Sequence, residues 1–347
     1  MRAEDRFVER LRGLLPRGMS GRVRIGPGDD AAVIERPAGP LVATTDMCVE
    51  GVDYLPEEDP YSVGRRTMAV NLSDLAAMGA KPEWFLLAVA FPKSRGEDFP
   101  LAVARGALSR ADPLNVDLAG GDLSEAPVAM VEISLFGSLQ ETPLTRSGAR
   151  PGDAVFLSGW PGRAAAGLRL ARRLSVFASQ GSAPTPRFVG LSPDDQRELL
   201  AAYRDPEPRV TLGTWLAEKH LATAAIDVSD GLGVDAGRMA RASGVRLVLE
   251  RENLPVHPSL ATFADLESLD AIDWILSSGD DYELLFTVSP ATSELLAEAG
   301  AKTGVDVRRI GRVEPGEGAV LRDRHGDREV SEMGHDHLES GAAEERR

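Results

Sequence analysis

The sequence predicts an α/β (α+β) protein of two domains. Its 347 residues, 43% of them hydrophobic, are enough to bury more than one core. Short apolar, β-rich runs alternate with segments of helical period, the pattern of sheets covered by helices. A turn-rich stretch, Gly148-Ala149-Arg150-Pro151-Gly152-Asp153, interrupts that alternation, which then restarts. The expected division is residues 1–148, residues 149–339, and a small, charged, disordered tail at 340–347.

The elements follow in order. Asp5 to Leu15 places Phe7, Val8, Leu11, Leu14 and Leu15 at helical spacing. Val23–Ile25 and Leu41–Thr45 read as strands. Pro60 to Met78 reads as a long helix, with Pro60 suited to a first turn and Gly79 to its end. Trp84–Phe91 reads as a buried strand, Asp98–Arg110 as a helix, and Val116–Ala119 and Val128–Phe136 as strands. Beyond the boundary come a strand at Ala154–Ser158, a helix at Arg163–Arg173 and a Pro, Gly and Ser-rich loop from Gln180 to Ser192. A helix at Arg209–His220 leads to the strand Ala222–Asp227, and Ser229 is the expected cap of a helix Asp230–Ala242. A strand Arg246–Glu250, a strand Tyr282–Val288 and a helix Ala291–Ala299 complete the pattern.

Charge and composition remove several functions. A net charge of −15 argues against nonspecific contact with nucleic acid or an anionic membrane and suits a protein that collects cations. Cys48 is the single cysteine, so no intrachain disulfide forms and a reducing compartment is expected. The charged opening Met1 to Glu9 has no apolar signal segment, and Trp84–Phe91, the longest apolar run, is too short to span a bilayer. A cytoplasmic globular protein is the expectation.

Seven aspartates stand in five Gly-, Ser- or Thr-rich segments with no histidine beside them: Gly26-Pro27-Gly28-Asp29-Asp30, Thr44-Thr45-Asp46, Asn71-Leu72-Ser73-Asp74, Gly120-Gly121-Asp122 and Asp227-Val228-Ser229-Asp230-Gly231. Carboxylates without imidazole or thiolate suit a hard, oxygen-seeking cation such as Mg²⁺, which bridges one or two carboxylates to substrate phosphates. Gly26-x-Gly28-x-x-Ala31 also fits a lax dinucleotide fingerprint. Asp29 and Asp30 would put two anions where that fingerprint holds pyrophosphate on backbone N–H groups, which excludes the reading. Thr44–Asp46 is expected at a strand end. Asn71 and Asp74 interrupt an otherwise apolar helix, where a carboxylate must be paired or bound to metal. Gly120 and Gly121 follow a strand and would let backbone approach a ligand. The N–H groups of the Asp227–Gly231 turn would take phosphate oxygens while its carboxylates hold metal. The sequence has no P-loop, no kinase His-Arg-Asp or Asp-Phe-Gly, and no Gly-x-Ser-x-Gly elbow. His335-Asp336-His337 reads as a solvated turn and Cys48 as a small packed thiol.

At these segments the chain resembles the thiamine-monophosphate kinases, in the superfamily of aminoimidazole ribonucleotide synthetase and selenophosphate synthetase. Gly28-Asp29-Asp30, Thr44-Thr45-Asp46, Asn71 through Ala80, Gly120-Gly121-Asp122, Thr145-Arg146-Ser147-Gly148-Ala149, Asp227 through Leu232 and Asp281-Tyr282-Glu283-Leu284 occur in the family's order across nearly the whole chain. The resemblance implies transfer of the ATP γ-phosphoryl group to thiamine monophosphate. It implies several Mg²⁺ ions on Asp30, Thr44, Thr45, Asp46, Asp74, Asp122, Asp227 and Asp230. ATP contacts would come from Gly121, Asp122, Arg146 and Ser229, and no general base is expected. It also implies a homodimer joined through the N-terminal sheets. The acceptor positions carry this chain's departures: Asp53 lies in a segment that usually holds histidine, Asp280 is often Glu, and His335 stands where an aromatic residue is usual. Leu123-Ser124-Glu125 replaces a usual Thr-Thr-Arg. A related kinase with another small acceptor, and a nucleotide- and Mg²⁺-binding regulator without turnover, are the alternatives.

Overall fold

The computed structural model describes residues 3–15, 22–27, 31–35, 39–140, 142–179 and 190–335. These fall into two compact units, Met1–Leu75 with Ala80–Gln140, and Ala76–Gly79 with Glu141–Arg347. The division at Gln140 precedes the turn at Gly148–Asp153, which lies inside the second unit. The 340–347 tail is outside the described residues, as is most of the Gln180–Ser192 loop.

The first unit contains α1 (Ala3–Arg12), β1 (Val23–Ile25), β2 (Val33–Ile34), β3 (Leu41–Val49), α2 (Pro60–Ala77), β4 (Lys81–Phe91), α3 (Asp98–Ala111), β5 (Asp117–Glu125) and β6 (Met130–Ser138). Four strands form a sheet in the order β3-β6-β4-β5, antiparallel except for the β4–β5 pair. Alternation gives it one buried face, with Phe85, Leu87, Val131, Ile133 and Leu135 turned inward with Leu72 and Leu75 of α2. Helices α2 and α3 touch backbone to backbone: a Cβ on Gly64 would stand 2.0 Å from the Val103 carbonyl oxygen, and one on Gly106 1.9 Å from that of Tyr61. The opposite face is covered at one end, where Val23, Ala32 and Ile34 pack on Trp84, Leu86 and Phe136. Elsewhere it is open among the described residues, and Leu41 and Met47 of β3 are each 52% exposed.

The second unit contains β7 (Ala154–Ser158), α4 (Arg163–Ser179), α5 (Pro193–Arg204), α6 (Val210–Glu218), β8 (Ala222–Val228), α7 (Leu232–Ser243), β9 (Arg246–Glu250), α8 (Pro258–Glu267), α9 (Ala271–Ser277), β10 (Glu283–Val288), α10 (Ala299–Thr303), β11 (Val307–Glu314), β12 (Gly318–Asp323) and β13 (Gly326–Glu329). Its seven strands run β13-β12-β9-β11-β7-β10-β8, antiparallel except for β12–β9. Strand residues Val155, Leu157, Ile226 and Leu285 join Leu170, Met239, Phe263 and Ile275 in one core.

The structure corrects several expected elements. Thr44–Asp46 lies within β3, which continues to Val49, and Gly120–Asp122 lies within β5. The close approach made by Gly121 is to the neighbouring strand: a Cβ there would meet the Leu87 carbonyl oxygen at 1.8 Å. Ser229 does not cap α7, which starts at Leu232 behind Gly231, at a backbone φ of 128°. Ala291–Ala299 is mostly a 3₁₀ segment, Ser293–Glu298, ahead of α10. The strands β2, β11, β12 and β13 and the helices α5, α8 and α9 were not expected. Ser192 caps α5 through a reciprocal pair of bonds with Asp195, which ends the expected loop in ordered structure.

Candidate active site

Two acidic clusters form, one in each unit. In the first unit, β3 and α2 meet through polar contacts inside an apolar face. Residues 44 and 46 are two apart on β3 and share the face toward α2; Asn71 and Asp74 are three apart on α2 and share a helical face. The Thr44 hydroxyl donates to Asp74 Oδ2. The Asp46 N–H donates to Asn71 Oδ1 at 3.1 Å, and Asn71 Nδ2 donates to the Thr67 carbonyl at 2.9 Å. Asn71 is fully buried, and these bonds engage both its oxygen and its nitrogen. Thr44, Asp46 and Asp74 are thus held as one oxygen-bearing group.

Alternation sends other expected ligands elsewhere. Thr45 points to the opposite face, where its hydroxyl donates to Glu132. Asp122 shares a row with Ala88, Glu132 and Met47 by register, which puts it on that same open face. Asp53 closes the turn after β3, its Oδ2 accepting the Val49 N–H at 2.8 Å. Asp30 lies outside the described residues, as do Asp336 and His337.

The second cluster gathers where β7 and β8 end and β10 begins. Asp227, 5% exposed, is the penultimate residue of β8. The Ser229 and Asp230 N–H groups, expected from the sequence to face phosphate, both donate to Asp235 Oδ2, at 3.0 and 3.1 Å. Arg238 Nη1 donates to Asp230 Oδ2 at 2.5 Å and to Asp235 Oδ1 at 2.6 Å. Burial pushes the Asp235 carboxyl up to about 6, against the opposing pull of the Asp230 N–H and the Arg238 charge.

Two further segments dock on this turn. The Asp280 N–H donates to the Ser229 carbonyl at 2.7 Å and the Tyr282 N–H to the Val228 carbonyl at 2.8 Å. Asp280 and Tyr282 have φ of 70° and 53°, a left-handed conformation that costs about 1–3 kcal/mol at a residue with a side chain. Tyr282 Oη donates to Asp280 Oδ1 at 3.0 Å. Each strained residue is followed by an anchored one: Asp281 accepts the Gly162 N–H at 2.7 Å, and the buried Glu283 accepts Arg209 through two bonds of 2.6 Å. The His335 N–H donates to the Asp230 carbonyl at 2.8 Å. Asp227, Ser229, Asp230, Asp280 and His335 are therefore adjacent. The exposed segment carrying Arg146 runs beside β8, with the Thr145 carbonyl accepting the Ala225 N–H at 2.8 Å and the Arg146 carbonyl accepting Ser243 Oγ at 3.2 Å.

The donor chemistry fits Mg²⁺. Both clusters offer carboxylate and hydroxyl oxygens, and His335 enters through its main chain. Among the described residues, no three His, Cys, Asp or Glu side chains gather as a ready-made metal cage. Mg²⁺ is commonly held by one or two carboxylates, water and substrate phosphate, which needs no such cage. Asp235, Arg238 and Tyr282 were missed as members of the site. The visible signal was spacing, since Arg238 is one helical turn after Asp235, itself five residues after Asp230.

No helix among the described residues is long and apolar enough to cross a membrane. Residues 28–139 match the AIR synthase related protein N-terminal domain, and residues 150–324 match the C-terminal domain of the same family. Over 324 residues the chain is 35% identical to a thiamine-monophosphate kinase of Rhodopirellula baltica, covering 89% of each protein. The crystal structure of thiamine-monophosphate kinase from Stenotrophomonas maltophilia K279a is 34% identical, with a TM-score of 0.75 over 91% of this chain and 94% of that one. AaThiL complexed with AMPPCP and TMP is 28% identical, with a TM-score of 0.71 over 86% and 90%. This chain belongs to the thiamine-monophosphate kinase family of AIR synthase related proteins.

Proposed function

We propose that the protein transfers the γ-phosphoryl group of ATP to the phosphate of thiamine monophosphate, giving thiamine diphosphate and ADP. The observation that carries this is two clusters of carboxylate and hydroxyl oxygens of the kind that hold Mg²⁺, in a chain of the thiamine-monophosphate kinase family. An acceptor oxygen attacks the γ-phosphorus as the bond to the β–γ bridging oxygen breaks. The acceptor is a phosphate monoester with a second pKa near ~6, so it is mostly ionised at neutral pH and needs no strong base. What has to be overcome is repulsion between two polyanions brought into line. Bound Mg²⁺ supplies the charge neutralisation for that step.

Asp46 and Asp74, with Thr44, would hold cation in the first unit, and Asp227 and Asp230 in the second. Asp30, Thr45 and Asp122 extend that set on the family resemblance, Thr45 through its main chain because its hydroxyl turns away. Gly121, Asp122, Arg146 and Ser229 would contact ATP, and Asp53, Asp280 and His335 the acceptor. We further propose a cytoplasmic homodimer, with the open sheet face carrying Leu41 and Met47 covered by a second copy. Sedimentation tests the dimer. ADP release measured with and without thiamine monophosphate, and after EDTA with Mg²⁺ or Zn²⁺ restored, tests the activity. ADP formation that is indifferent to thiamine monophosphate refutes the acceptor, and recovery specific to Zn²⁺ refutes the metal.

A further inference from the structure

The Asp227–Gly231 turn is shaped by a residue that lies outside it. Asp235 sits one turn inside α7, its side chain 1% exposed. Its Oδ2 reaches back beyond the helix start to accept two consecutive N–H groups, from Ser229 and Asp230. Those amides precede the Gly231 cap, so the carboxylate does not serve the helix's own unpaired N–H groups. It holds the turn. Oδ1 is bound to Arg238, and the same guanidinium nitrogen takes Asp230 Oδ2. Main chain and side chain of Asp230 are thereby tied to one buried carboxylate, directly and through Arg238. Burying a carboxylate costs several kcal/mol unless it is paired and hydrogen-bonded. Here each of its oxygens is used, and every bond leads to the turn or to the arginine that grips it.

We propose that Asp235, with Arg238 as its counter-ion, is a positioning residue for cation binding: it fixes the backbone of Ser229 and Asp230 and so sets the direction in which the Asp230 carboxylate meets Mg²⁺. This rests on the reading of Asp227 and Asp230 as cation ligands. The test uses Mn²⁺ as the probe, its binding to the nucleotide-free, full-length protein followed by electron paramagnetic resonance. Asp235→Ala weakens Mn²⁺ binding at least about tenfold. Asp235→Asn keeps an oxygen for the two N–H groups but sets an amide N–H₂ against Arg238, so it restores binding in part, to at least about threefold better than the Ala variant. A simple packing role lowers the melting temperature of both variants and leaves Mn²⁺ affinity unmoved. If Asp235→Ala does not fold, Asp235→Thr, whose hydroxyl is too short to span the gap, is read in its place. A folded Ala or Thr variant that binds Mn²⁺ normally overturns the inference, as does an Asn variant no better than it. Asp230→Asn is the control: unchanged Mn²⁺ binding there refutes the metal reading itself, whereas loss there with normal binding in the Asp235 variants refutes only the positioning role.

Discussion

Arg209→Met should destabilise the second unit by about 3–5 kcal/mol, because it leaves a buried carboxylate without its cation. Glu283 has 3% of its side chain exposed and Arg209 16%, and they meet fork to fork through two bonds of 2.6 Å. Ser158 Oγ at 2.5 Å and the Trp160 N–H at 3.2 Å also donate to Glu283 and remain after the substitution, which favours the lower half of that range. Even so the loss is large against a typical domain stability of roughly 5–15 kcal/mol. Urea unfolding followed by tryptophan fluorescence measures it. Trp160, Trp215 and Trp274 report the second unit, so the comparison is made in a Trp84→Phe background that silences the first. With a slope of about 2–3 kcal/mol per molar urea, the midpoint should fall by about 1–2 M. Adding Glu283→Gln to the Arg209 variant removes the stranded charge and should recover at least about 2 kcal/mol. A loss under about 1 kcal/mol in the single variant, or no recovery in the double, refutes the account of this pair. The pair matters to the site because Glu283 begins β10 directly after the strained Asp280–Tyr282 segment.

Three further substitutions separate fold from chemistry. Asp74→Asn keeps an oxygen for the Thr44 hydroxyl, so stability should change by no more than about 1 kcal/mol while kcat falls about 10²–10³-fold; a folded variant with normal turnover at limiting Mg²⁺ removes Asp74 from the site. With Asp53 facing the acceptor as proposed, Asp53→His should lower the KM for thiamine monophosphate, at the loss of the Val49 contact; a raised KM measured at saturating ATP would refute that placement of its charge. Burial raises the Asp281 carboxyl well above its ordinary 3.8, against bonds from Gly162 and Ala164. The unfolded chain then releases that proton first as pH rises, so this residue's penalty is absent below about pH 4 and grows above it. Asp281→Asn should therefore cost less stability at pH 7 than at pH 4, and denaturant titrations giving the reverse order would refute the raised value.

The legible parts of the fold were those in which one local signal decided the outcome. Pro60 and Gly79 bracket α2 because one suits a first turn and the other a left-handed end, at φ 67°. Strand Ala154–Ser158 is apolar at nearly every position and was read to its ends. Strands β11 to β13 escaped because arginines and carboxylates break their apolar residues into short pieces, such as Ile310, Val313 and Ala319–Leu321, that show no alternation. Arg312 bonds Glu314, and Arg322 bonds Glu314 and Asp327, so charge pairs stand where apolar residues were sought. The site divides along the same line. Which residues are acidic is written in the chain, but which face Thr45 and Asp122 occupy is set by pairing with β6 and β4. Which groups the Ser229 and Asp230 amides serve depends on a carboxylate five or more residues away. Composition thus raised the expectation of cation chemistry, while register and helix phase decide which carboxylates lie together. Thr44, Asp46 and Asp74 form one group because a strand of period two and a helix of period 3.6 present them to each other, and a one-residue slip of β3 would bring Thr45 to α2 in their place.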